Sequence, residues 1–197
     1  KDKTTYCFRM TEADGTLFDN YFYYPAIRTV GFEPLLKTWR WYDDETNLTP
    51  VTPLAAENVA PVDIANQNEI KLRLTVREVS GAPGVDAKFA LQYSEYSDFS
   101  QAVKTLTSTT TCTDNSLWCY ADGSGVDNDQ IDAAVISDAD SCTGGVGTGC
   151  GTHNEGTSTS NATYDHSSFS TAEYEFTVKH AGARANAVYY FICWRTL

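Results

Sequence analysis

From Ile70 to Arg77 the chain alternates without a break. Ile70, Leu72, Leu74 and Val76 fall on one parity, and Lys71, Arg73, Thr75 and Arg77 on the other. Successive side chains of an extended backbone leave on opposite sides, so this pattern predicts a strand with one face in a core and one in water. Phe89, Leu91 and Tyr93 repeat it against Lys88 and Gln92, and Tyr174, Phe176 and Val178 against Glu175, Thr177 and Lys179. Val188, Tyr190, Ile192 and Trp194 belong to the most apolar segment, apolar on both parities, which predicts a central strand. Leu36 to Tyr42, carrying Trp39 and Trp41, predicts a further strand. Helical periodicity is nearly absent. Prolines at 50, 53 and 61 break any helix near Leu54 to Asn66, which reads as a crossing loop with a short strand over Val62 to Asn66. The expected fold is all-β, an immunoglobulin-like antiparallel β-sandwich.

The stretch 108–170 differs in kind. Thr, Ser, Gly, Asp and Asn dominate it, and Leu117, Trp118, Tyr120, Ile131, Val135 and Ile136 are its few core-sized residues. So long a stretch without dense apolar content is unusual inside a compact domain. It reads as a loop-rich insertion stapled by disulfides, since it holds Cys112, Cys119, Cys142 and Cys150. With Cys7 and Cys193 the cysteines form an even set without a Cys-x-x-Cys pair or zinc-spaced histidines, which points to disulfides and an extracellular or cell-surface location. Two gaps are short, Cys112 to Cys119 and Cys142 to Cys150, and either can close a small loop. No signal-peptide pattern is legible, so the sequence reads as a mature chain or a segment of something longer.

Charge narrows the partners. The 197 residues hold 26 acids and 14 bases, a net charge of −12. That balance argues against nucleic acid, which needs a basic face, and against docking on anionic lipid. No apolar run approaches the ~20 residues of a membrane-spanning helix.

Candidate chemistry is thin. His153, His166 and His180 read as exposed structural histidines, with no nucleophile at a known motif spacing and no Gly-x-Ser-x-Gly elbow. Acid pairs such as Asp43 with Asp44, and Glu173 with Glu175, read as solvated surface rather than as the carboxylate pair of a glycosidase. No enzymatic role is expected. Asp122, Asp127 and Asp129, in a Gly- and Asn-containing loop, offer hard oxygens for calcium, but the terminal Glu of an EF-hand loop is missing. The plain-turn reading is preferred there, and no other cofactor is implied. Asn47 and Asn161 head sequons for N-glycosylation, with Pro50 working against the first. The Ser- and Thr-rich run from Thr152 to Ser170 could equally carry O-linked sugar.

The two ends of the chain match. Cys7-Phe8-Arg9 and Cys193-Trp194-Arg195 share the order cysteine, aromatic, arginine. After the first comes a turn around Asp14-Gly15, then Leu17 to Tyr24, an aromatic strand stopped by Pro25. After the second the sequence stops at Leu197, where a turn and return strand would follow. A division at residue 30 follows: 1–30 as an N-terminal hairpin, 31–197 as the sandwich. A last strand without its neighbour leaves unpaired N–H and C=O groups and an apolar stripe. The acceptor groove is assigned to Val188, Tyr190, Ile192 and Trp194, and the donor to Leu17, Phe18, Tyr21, Phe22, Tyr23, Tyr24 and Ile27. Supply by the same chain gives a monomer, and supply by the next copy gives a non-closing fibre.

Trp39-Arg40-Trp41-Tyr42-Asp43-Asp44, with Leu48-Thr49-Pro50 and Leu54-Ala55-Ala56-Glu57-Asn58 behind it, resembles the opening of an immunoglobulin-like repeat module. That module belongs to large secreted surface proteins of poorly characterised bacteria and archaea. Lys71-Leu72-Arg73-Leu74, Phe89-Ala90-Leu91-Gln92-Tyr93 and Thr5-Tyr6-Cys7-Phe8-Arg9-Met10 are similar to its later strands, so the resemblance covers most of the chain except roughly 120–170. It implies no enzymatic activity. It implies a bridge between Cys112 and Cys193; Cys119 departs from the pattern, leaving its partner open, with Cys7 as one candidate.

The expectation is therefore a structural subunit of an extracellular filament or fibre, a pilus-like appendage in which copies of the chain join head-to-tail by strand donation. The alternative is a carbohydrate-binding or adhesive module of a cell-surface protein, with Trp39, Trp41 and Trp118 as a sugar-stacking platform.

Overall fold

The structure is a computed structural model describing residues 4–7, 13–14, 26–46, 49–108, 112, 117–131, 133–137, 143–146, 150–156 and 164–196. Its strands are β1 (Thr5–Cys7), β2 (Ala26–Arg28), β3 (Pro34–Asp43), β4 (Ile70–Glu78), β5 (Gly84–Ser94), β6 (Lys104–Thr105), β7 (Thr107–Ser108), β8 (Trp118–Tyr120), β9 (Thr143–Val146), β10 (Gly151–Asn154), β11 (Tyr164–His180) and β12 (Tyr190–Thr196). Among the described residues there is no helix.

Ten strands share one hydrogen-bonded sheet, with main path β12-β5-β11-β4-β3, curled into a half-barrel. The pairings along that path are all antiparallel. Two short additions are parallel, β7 on β8 and β10 on β11. β1 and β2 form a separate two-stranded ribbon. Curling follows from the length of β11. Its first residues pair with β5, at Tyr164 with Ala87 and His166 with Gly84, and its later ones with β4, from Thr171 to Val178. Between the two, Phe169 takes a positive φ of 60°, a conformation most side chains avoid. Glu78 holds that bend. Its carboxylate accepts the N–H groups of Phe169, Ser80 and Gly81 and the hydroxyl of Ser80.

The concave side of the half-barrel is the core. Ile70, Leu72, Leu74 and Val76 of β4 face it, with Phe89, Leu91 and Tyr93 of β5 and Tyr174, Phe176 and Val178 of β11. Alternation identified all of these. Trp118 and Tyr120 of β8 complete the interior, where the backbone N–H of Leu91 donates to Tyr120 Oη at 2.8 Å.

Four expectations need correcting. Among the described strands, β12 is at an edge of the sheet, paired with β5 alone, and not central. One of its apolar faces packs on the core and the other is exposed. No strand forms over Val62 to Asn66; Tyr42 and Pro53 make an isolated bridge instead. Within 108–170, read as loop-rich, the described residues contribute β8, β9, β10 and the start of β11 to the sheet. Finally, the polar face of β4 does not meet water. Lys71, Arg73 and Thr75 are fully buried: Lys71 is met by Asp44 and Ser124 of two covering loops, and Thr75 bonds Thr38 of β3.

Candidate assembly interface

β12 has β5 on one side and no partner on the other among the described strands. Its pleat sorts its side chains by parity. Phe191 and Cys193 pack against the core cluster, while Tyr190, Ile192 and Trp194 are 39%, 38% and 40% exposed. Val188, just before the strand, is exposed too. The stripe of apolar side chains expected on the last strand is therefore present, on the face turned away from the core.

Beside the start of β12 lies a cavity of about 680 Å³. Its walls include Trp41 of β3, Ile70 of β4, Trp118 of β8, His180 at the end of β11, and Tyr189 and Phe191. Trp41 and Phe191 meet edge to face at 5.2 Å, so the first and last strands of the sheet path approach each other here. Trp118 stands against both Phe191, at 5.1 Å, and His180, also at 5.1 Å. Of the residues assigned to the acceptor groove only Val188 lines this cavity. Tyr190, Ile192 and Trp194 are on the opposite, exposed face, whereas Tyr189 and Phe191 line the cavity. The one-residue phase of β12 decides between the two sets, and a segment apolar on both parities does not reveal it.

The ribbon at the other end of the chain is exposed at every described residue from 4 to 7 and from 26 to 30. Thr5, Tyr6 and Cys7 pair with Arg28, Ile27 and Ala26. Of the assigned donor residues, Ile27 is in β2 and exposed. Leu17, Phe18, Tyr21, Phe22, Tyr23 and Tyr24 lie outside the described residues, as do the sequon asparagines Asn47 and Asn161.

The cysteines divide in two. Cys112 and Cys119 are bridged, with Cα atoms 5.3 Å apart. This is the short loop-closing pair suggested by their spacing; the bridge from Cys112 to Cys193 implied by resemblance is not formed. Cys150 is also disulfide-bonded, and Cys142 lies outside the described residues. Cys7 and Cys193, expected among the disulfides, are free thiols. Cys7 is exposed on the ribbon, whereas Cys193 is half-buried and burial pushes its thiol up from the ordinary cysteine value.

The chemistry sought elsewhere is distributed differently from expectation. The three histidines are buried, not exposed. His166 sits among Phe32, Phe89, Tyr164 and Tyr174, with Nε2 at 2.7 Å from Tyr174 Oη. Burial brings it down to about 4. Glu173 and Glu175 are likewise buried rather than solvated, in an ionic layer on the convex side of β4 and β11. Arg73 Nε stands 3.5 Å from Glu173 and 3.3 Å from Glu175. Lys71 Nζ lies 3.6 Å from Asp44 and 3.9 Å from Glu175, and also donates to the carbonyls of Glu45 and Ser124. His153 Nδ1 is 2.7 Å from Glu175. Glu173 is capped further by the N–H groups of Val135 and Ile136. Such a layer holds loops onto a sheet: charges removed from water are tolerated only when each finds partners.

Asp122, Asp127 and Asp129 are not gathered around one point, and among the described residues no cluster of three or more His, Cys, Asp or Glu is placed to hold a metal ion. Asp127 instead accepts from the N–H of Glu155 and the side-chain amide of Asn128. Trp41 and Trp118 are each only 6% exposed, so they build the interior rather than a surface platform.

No family model, no curated protein and no solved structure matches the chain.

Proposed function

We propose that the chain is a structural subunit of an extracellular filament or fibre, assembling head-to-tail as its N-terminal thirty residues are donated to the open edge of β12 in the next copy. The observation that carries this reading is the unpaired β12 edge with its stripe of Tyr190, Ile192 and Trp194, in a chain whose N-terminal ribbon is wholly exposed. Edges of this kind are templates for a further strand, and proteins otherwise blunt them with charge, proline or bulges. A strand arriving there extends the sheet beyond β12 towards an immunoglobulin-like closed unit. Donor and acceptor are different surfaces of one chain, so supply by the next copy makes a head-to-tail contact that can propagate into a fibre. The disulfides favour an extracellular or surface location, and the acidity favours a polymer that stays dispersed.

The adhesive reading draws less support, because two of the three tryptophans it relies on are interior. Electron microscopy of the concentrated, purified chain tests the proposal. Filaments with a regular axial repeat are expected; a population that remains monomeric at millimolar concentration sinks it.

A further inference from the structure

We propose that β1 of one copy adds directly to the free edge of β12 in the next, and that Cys7 and Cys193 are joined across that contact by a disulfide. This rests on the strand-donation reading and deepens it, naming the strand that meets β12 and the bond that locks the joint.

Two free thiols in a chain that otherwise bridges its described cysteines are the first observation. Cys112, Cys119 and Cys150 are disulfide-bonded, while Cys7 and Cys193 are not, one on the exposed ribbon and one on the open edge strand. The second is the parity of the pleat. Laterally adjacent residues in a sheet send their side chains to the same face, so setting Cys7 beside Cys193 also decides where their neighbours go. Tyr6 and Ile27 are cross-strand partners in the ribbon, 51% and 57% exposed. With Cys7 beside Cys193 they come to lie on the same face as Tyr190, Ile192 and Trp194, the exposed stripe of β12. Three exposed apolar side chains on the acceptor and two on the donor then lie on one contiguous face, with Tyr6 packing laterally against the stripe of β12. A slip of one residue would turn Tyr6 and Ile27 to the core side and separate the thiols. The same parity thus satisfies the thiols and the apolar stripes at once, whether the strands run parallel or antiparallel.

The chemistry needs an oxidant, and a disulfide-bearing one supplies it: a thiol–disulfide oxidoreductase or a small-molecule disulfide. The exposed Cys7 thiolate attacks that disulfide, forming a mixed disulfide and releasing one thiol. Cys193 then loses its proton and attacks the Cys7 sulfur, and the second thiol leaves. Two protons and two electrons pass to the oxidant, and one S–S bond links the chains. Burial of Cys193 keeps its thiol protonated in the unjoined chain, which guards it against premature oxidation.

The test is electrophoresis of the assembled polymer in detergent without reductant, followed by peptide mass spectrometry. A ladder of multiples of the chain is expected, collapsing to one band on reduction, with a Cys7–Cys193 linked peptide confined to the multimeric bands. Cys7→Ser and Cys193→Ser should each abolish the ladder while filaments remain visible by microscopy. Should Cys193→Ser fail to fold, Cys7→Ser, at an exposed site, carries the test alone. A linked peptide in the monomer band, a Cys7–Cys7 link, or free thiols at both positions in the polymer would overturn the proposal. Filaments that fall to monomers in detergent without reductant defeat the cross-link and leave strand donation standing. A chain that never polymerises defeats both.

Discussion

Glu78 shows how much one side chain can organise. Burial works to raise its carboxyl, but hydrogen bonds from Ser80, Phe169 and Gly81 outweigh that and bring it down to about 2. It thereby fixes both the turn after β4 and the bend at Phe169 on which the curl of β11 depends. Glu78→Gln keeps the shape and removes the charge, so a loss of about 2 kcal/mol in a denaturant titration is expected, the range for charge-assisted bonds. Because the folded value lies below the ordinary 4.5, the stabilisation is full above pH 4.5 and is lost as pH falls towards 2. His166 works in a neighbouring window. Its folded value of about 4 lies below the ordinary 6.5, so the unfolded chain takes the proton first and stability declines from pH 6.5 towards 4. A series of melting temperatures should show this slope, and His166→Gln should flatten it in that window alone.

At the scale of elements, alternation located β4, β5 and the second half of β11 to within a few residues, and the apolar and aromatic runs located β3 and β12. It missed the first half of β11, because Asp165-His166-Ser167-Ser168 carries too little apolar signal to stand out. It also misjudged what lay beyond the polar face. Lys71, Arg73, Glu173 and Glu175 obey the period of a half-exposed strand, yet they are sealed by loops, and nothing local to β4 or β11 announces a covering layer. Period 2 reports that two faces differ, not that one of them is wet. The phase of β12 was illegible for the opposite reason, both parities being apolar. Two measurements belong here. Ile192→Lys, on the exposed face, should change stability by less than about 0.5 kcal/mol yet abolish filaments in micrographs. Replacing Cys112 and Cys119 together by serine opens a seven-residue separation and should lower stability by roughly 2.5 kcal/mol in chemical denaturation.

For the whole molecule, the arrangement is one sheet with two unlike sides. Its concave side is held by dispersion and the hydrophobic effect, its convex side by paired charges beneath loops, so β4 and the later part of β11 are buried twice over. The cysteines show the same division between legible and hidden. Spacing pointed to the short Cys112–Cys119 loop, whereas the free state of Cys7 and Cys193 depends on which elements meet in space. The wall near His180 was likewise hidden, since Trp41, Ile70 and Phe191 converge from three strands far apart in sequence.

Lys71 gives the covering loops a built-in stopwatch. Its amine is fully shielded and caged by the carbonyls of Glu45 and Ser124, one from each covering loop. An amine-reactive reagent reaches it only when those loops lift, so its labelling lags behind that of exposed lysines such as Lys104. The lag, read peptide by peptide, times the opening of the loops separately from the unfolding of the sheet beneath. Labelling of Lys71 as fast as Lys104 would mean that the ionic layer stands open in solution.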